Sequence, residues 1–95
     1  MAAILLSRFK VRDYDAWREV FVSKADLRKD NGCNGTHIFF NAADKNEVTI
    51  NFQWESAEQA QAFFASDAAR SAMQEAGVIG LPDHWIVEDG GRTPN

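Results

Sequence analysis

Glu47-Val48-Thr49-Ile50-Asn51-Phe52-Gln53-Trp54-Glu55 decides the fold, because its apolar and polar residues alternate without a lapse. Successive side chains of an extended chain point to opposite sides. Val48, Ile50, Phe52 and Trp54 therefore share one face, while Glu47, Thr49, Asn51, Gln53 and Glu55 share the other. A strand with one apolar and one polar face belongs in an antiparallel sheet that buries a single side. Immediately upstream, Gly35–Asn41 reads as the partner strand of a hairpin, with Ala42-Ala43-Asp44-Lys45-Asn46 as its loop. Setting Phe40 opposite Val48 aligns Ile38 with Ile50 and sends both to the core. The opposite face then collects His37, Phe39, Thr49, Asn51 and Gln53.

Working outward, residues 2–12 form another strand, in which Ser7, Phe9 and Val11 point one way and Arg8 and Lys10 the other. Asp13 has the character of a helix N-cap, with Asp15 in the first turn. Trp17, Val20, Phe21 and Leu27 recur at helical spacing, which predicts one amphipathic helix ending at Asn31-Gly32. Ser56-Ala57-Glu58-Gln59 is a capping box, in which Gln59 is expected to reach back to the serine N–H. Ala60, Phe63 and Phe64 follow on one face, and Ser66-Asp67 predicts a break before a second helical piece over 67–76, closed by Gly77. Val78–Pro82 reads as an apolar connection and His84–Asp89 as the last strand. Trp17, Trp54 and Trp85 are expected in the core, with ligand stacking the alternative for Trp85. The order βαββαβ predicts an α+β, ferredoxin-like antiparallel sheet with its helices on one face, as one domain over 1–90 with a flexible tail at 91–95.

Composition narrows the function. A chain of 95 residues has room for one core. Its net charge is −4 with the signs mixed, so the concentrated basic patch needed for nucleic acid or an anionic membrane is missing. Cys33 is the only cysteine, which excludes an intrachain disulfide; it reads as a small, partly buried filler. Two histidines without metal-ligand spacing argue against a metal site. Gly90-Gly91 precedes no helix and so makes no phosphate loop. The short N-terminal apolar run lacks basic residues before it and is neither a signal peptide nor a membrane span, so cytoplasmic residence is expected.

The sheet face left bare by the helices is the expected place for function. It mixes Phe39, and Ile4 and Leu6 of the first strand, with His37, Arg8 and Asn51. Such a face is covered economically by a second copy across a two-fold axis, which predicts a homodimer; a plain solvated face is the alternative. His37 has the titration range for acid–base work, or is a rim histidine tied to a neighbouring strand. Arg8 can hold a carboxylate or enolate oxygen, or can face water. Asn51, Gln53, Thr49 and Phe39 can line a site for an oxygenated ligand, as can His84, whose face is open.

The segments Val11-Arg12-Asp13-Tyr14-Asp15-Ala16-Trp17, Asn41–Val48, Phe52-Gln53-Trp54-Glu55 and Met73–Val78 together resemble the dimeric α/β-barrel superfamily. Within it they are similar to antibiotic-biosynthesis-monooxygenase-like domains, some labelled cyclases. The resemblance spans about residues 4–89. It implies a homodimer with a cavity between sheet and helices or inside the barrel, and cofactor-independent turnover of a small cyclic or aromatic oxygenated metabolite. The reaction would be cyclisation, isomerisation or oxygenation, with His37 and Arg8 carrying it and no cofactor or metal. Haem-degrading relatives are similar in using an asparagine on the first strand and a histidine on the second helix, and this chain has neither. Asn51 and Trp54 resemble the Asn/Trp pair of quinone-forming members, but odd spacing sends them to opposite faces. A non-catalytic, dimeric ligand-binding or stress-associated module is the competing reading.

Overall fold

Val48, Ile50 and Trp54 are wholly buried and Phe52 is 3 % exposed, so the alternation is realised residue by residue. The computed structural model describes residues 2–95. Along the chain run β1 (Ala3–Val11), α1 (Tyr14–Ser23), α2 (Ala25–Asp30), β2 (Cys33–Asn41), β3 (Asp44–Trp54), α3 (Ala57–Phe64), α4 (Asp67–Glu75) and β4 (Val78–Val87). The strands form one antiparallel sheet in the order β2-β3-β1-β4, the ferredoxin-like arrangement. Phe40 pairs with Val48 and Ile38 with Ile50, the register read from the sequence. The core joins Leu5, Val11 and the inward residues of β3 to Trp17, Ala60, Phe63 and Ala69 from the helices. Each large apolar side chain withdrawn from water there contributes roughly 1.5–3 kcal/mol.

Local signals explain most boundaries. Asp13 caps α1 by accepting the Ala16 N–H at 2.9 Å. Ser56 and Ser66 cap α3 and α4, accepting from the N–H groups of Gln59 and Ala69, both at 3.2 Å. Gly77, at φ +80°, takes the left-handed position beyond α4. Its carbonyl then accepts the Arg12 N–H at 3.0 Å and ties the end of α4 to the end of β1. Residues 88–95 form no helix or strand.

Five expectations are corrected. The first helical segment is two helices with a joint at Lys24, because the Ser23 hydroxyl donates to the Val20 carbonyl at 2.6 Å and the Lys24 N–H is shared between the Val20 and Phe21 carbonyls. The hairpin loop is only Ala42-Ala43. Asn41 Oδ1 accepts the Ala43 N–H at 2.8 Å, which tightens the turn and lets β3 begin at Asp44. In the capping box Gln59 Oε1 takes the Ser56 hydroxyl hydrogen rather than the Ser56 N–H. Val78–Pro82 belongs to β4, which is irregular opposite Arg8–Lys10 and takes φ +71° at Gly80; as an edge strand it accommodates Pro82. Trp85 is 47 % exposed on the outer sheet face, because its partner Leu6 has outward parity.

Candidate functional site

Strand parity sorts the candidate residues into two groups. Arg8, His37, Phe39, Thr49, Asn51 and Gln53 all stand on the outer face of the sheet, in register: His37 faces Asn51, Phe39 faces Thr49, and Thr49 faces Arg8. The His37 and Phe39 rings lie 4.2 Å apart, and the Gln53 amide donates to Asn51 Oδ1 at 2.8 Å. Arg8 reaches Asp83 at 3.6 Å and lies 5.8 Å from the centre of the Trp85 ring. These groups therefore form a contiguous, half-apolar surface, open to solvent in the single chain. Asn51 and Trp54 are on opposite faces, as their spacing requires: Trp54 is buried within the aromatic cluster of Phe52, Phe63 and Phe64.

His84 parts company with that group. It pairs with Ser7, whose side chain is inward and 1 % exposed, so the imidazole turns toward the helices and packs against Phe64 at 4.7 Å. Being on the edge strand it keeps one side exposed. Its protein side lines a narrow cavity of about 60 Å³ between sheet and helices. Ser7, Phe9, Ile50 and Phe52 form the floor; Trp17, Phe21, Phe64 and Met73 form much of the roof. The lining is almost wholly apolar, and partial burial lowers the His84 pKa from its ordinary 6.5, against the weaker opposing pull of Asp83. At neutral pH the imidazole is therefore uncharged, with a nitrogen free to accept a proton.

Two further ionisable groups reach the cavity. Lys24, at the joint of α1 and α2, pairs with Glu75 of α4 at 3.3 Å across the opening. Arg28 of α2 is 8 % exposed and donates from Nη1 to the Phe21 carbonyl at 2.8 Å. Sequence reasoning passed over both Arg28 and Ser7. Each carried a signal: Arg28 falls at helical spacing on the face of Trp17 and Phe21, seven residues beyond Phe21, and Ser7 has the inward parity of Leu5 and Phe9. A polar residue at a core position is a common mark of a site.

Among the described residues no cluster of three or more His, Cys, Asp or Glu side chains can hold a metal ion. No helix among the described residues is long and apolar enough to cross a membrane. Cys33 is buried at the start of β2, its thiol directed at the Gly35 carbonyl, and burial pushes its pKa up.

The profile of one protein family, described as antibiotic biosynthesis monooxygenase, matches residues 4–75. Three solved structures illustrate the likeness of fold. SnoaB, a cofactor-independent oxygenase from Streptomyces nogalater, is 13 % identical with a TM-score of 0.76, over 99 % of this chain and 98 % of that one. A Bordetella bronchiseptica protein, provisionally named an antibiotic biosynthesis monooxygenase, has a TM-score of 0.80 at 12 % identity, over 93 % of this chain and 96 % of its own. A Chloroflexus aurantiacus protein with the same provisional name is 19 % identical, with a TM-score of 0.68 and full coverage of both chains. No curated protein matches the sequence.

Proposed function

The chain belongs to the antibiotic biosynthesis monooxygenase family, and from that premise we propose that it oxygenates a small cyclic or aromatic metabolite without a cofactor, in the cavity between sheet and helices. The observation that carries the proposal is an apolar chamber with a neutral histidine at its rim. His84, rather than His37, takes the proton-transfer role, because only His84 of the two lines the cavity between sheet and helices.

The chemistry follows from that pairing. A phenol is a poor electron donor to dioxygen until its O–H proton is removed. The uncharged His84 accepts that proton, and the apolar walls leave the phenolate poorly solvated and electron-rich. Dioxygen takes electrons from it and bonds to the para carbon. The O–O bond then breaks with loss of water, the C–H hydrogen and the proton held on His84 leaving in that water. The ring becomes a quinone with one new oxygen, and all four electrons that reduce dioxygen come from the substrate. The outer sheet face, with Phe39 and Trp85 about half exposed among His37, Asn51 and Gln53, is the homodimer interface in this reading.

Oxygen uptake tests the proposal. Purified protein without added cofactor, given a panel of hydroxylated mono- and bicyclic aromatics, is expected to consume dioxygen and form quinone absorbance with at least one of them. His84→Gln is expected to lower the rate by about 10²–10⁴-fold, the usual worth of a general base, while His37→Gln retains it. Undiminished turnover by His84→Gln overturns the assignment. Saturable binding of the same aromatics without oxygen uptake would establish a non-catalytic binding module instead.

A further inference from the structure

Arg28 is charged and buried, yet among the described residues no carboxylate pairs with it. Its one hydrogen bond runs from Nη1 to the Phe21 carbonyl, and the guanidinium carbon lies 3.7 Å from the centre of the Phe21 ring. These contacts hold the group over the aromatic face at the end of α1. They employ one of five N–H donors. Among the described residues the only side-chain nitrogen or oxygen sealed from solvent without a partner is Trp54 Nε1, so the remaining Arg28 nitrogens are not sealed in. Two spaces meet at Arg28. On one side is the apolar chamber; on the other is a surface cleft of about 290 Å³, lined by Asp26, Lys29, Cys33 and Thr36 among others.

A guanidinium largely screened from bulk water with no anion beside it carries an uncompensated desolvation cost, which an anionic ligand reaching its open edge would offset. We infer that chamber and cleft are one ligand site joined at Arg28, and that its ligand is a ring compound bearing a carboxylate, the ring in the chamber and the carboxylate on the Nε/Nη2 edge of the guanidinium. The planar fork matches a carboxylate with two parallel hydrogen bonds, a match a lysine ammonium does not offer. Asp26, on the cleft side, repels a carboxylate that strays outward, and Lys29 adds a second positive charge at the rim. The inference rests on the reading of the chamber as the ligand site and adds the charge class of the ligand to it.

Benzoate and its neutral isostere benzamide, titrated into ¹⁵N-labelled protein by NMR, test it. Benzoate is expected to bind at least about tenfold more tightly and to shift the Arg28 Nε–H resonance, since a charge-assisted bond exceeds a neutral one by that much or more. In Arg28→Met benzoate is expected to lose its advantage, so that the two ligands bind equally; Lys29→Met keeps the preference for benzoate. Equal binding by the wild type overturns the inference, as does a preference that survives in Arg28→Met. Should that variant fail to fold, benzoate binding that leaves the wild-type Arg28 Nε–H unmoved overturns it equally. If benzamide shifts the amides of Ser7, Phe64 and His84 and benzoate gains nothing, the chamber stands and only the role of Arg28 falls. If neither ligand shifts them, the chamber reading fails first and takes this inference with it.

Discussion

Ser7 is where stability and function pull apart, and Ser7→Val measures the tension. Its hydroxyl stands at the floor of an apolar cavity, with the residue 1 % exposed, in a strand whose other inward residues are Ala3, Leu5, Phe9 and Val11. Valine replaces the hydroxyl with a methyl, adds a second methyl into the cavity, and suits a central strand better than serine. Filling free volume is worth about 24 cal/mol per Å³, so the whole 60 Å³ caps the packing gain at about 1.4 kcal/mol. Removing a desolvated hydroxyl adds roughly 1–3 kcal/mol if it lacks a strong partner, and subtracts about 1 kcal/mol if it has one. The expected net effect is a stabilisation of about 1–2 kcal/mol, read as an increase in melting temperature of roughly 4–8 °C per kcal/mol for a domain this size. Circular dichroism with thermal and urea unfolding gives the value, and an unchanged urea slope shows that stability has changed and the surface exposed on unfolding has not. Aromatic binding and any oxygen uptake should fall as stability rises, the trade expected at a site kept open for a ligand. A destabilisation of more than 1 kcal/mol refutes the reasoning. It would mean that the hydroxyl is needed for the packing and that the space beside it is not available.

Two other outcomes are expected. Burial lowers the His84 pKa below its ordinary 6.5, so the unfolded chain binds a proton more readily than the folded one between the two values. The stability contributed by neutral His84 is full above pH 6.5 and is lost as pH falls through the lowered folded value; His84→Gln should flatten the pH dependence of unfolding in that window, and an unchanged slope would contradict it. Phe39→Asp places a charge on the outer face at a residue 49 % exposed, so it should change the stability of the single chain by less than about 0.5 kcal/mol. It is expected to abolish self-association in sedimentation at micromolar concentration, whereas a wild type that sediments as a stable monomer refutes the dimer.

What could be read from the sequence followed the physics that is local. Period-two alternation needs only neighbouring residues, so Val48 to Trp54 announced their burial, and the register of His37 with Asn51 followed from a single hydrophobic pairing. Caps are also local, and Asp13, Ser56 and Ser66 sit where their side chains meet the first turn. The joint at Lys24 was hidden because it arises from competition for the Val20 and Phe21 carbonyls by the Ser23 hydroxyl, the Lys24 amide and the Arg28 guanidinium, three donors whose meeting requires the folded chain. The Asn46 side chain, which accepts the Tyr14 N–H at 2.9 Å, is equally invisible beforehand, since 32 residues separate the partners.

The division of the candidate site has the same origin. Within β2 and β3 parity was known, so the outer-face residues were correctly grouped. For β4 it was not, because the strand begins six residues before His84 and passes an irregularity and a left-handed glycine before the histidine is reached. A shift of one residue in that passage exchanges His84 with Trp85 between chamber and outer face. The placement of the proposed base is thus held by the bulge opposite Arg8–Lys10 and by Gly80, far from any reacting atom. Deleting one residue from the Ile79–Leu81 stretch would be expected to bring Trp85 inward against Phe64 and turn His84 out beside Arg8, a change that the Phe64–His84 ring contact would report by NMR.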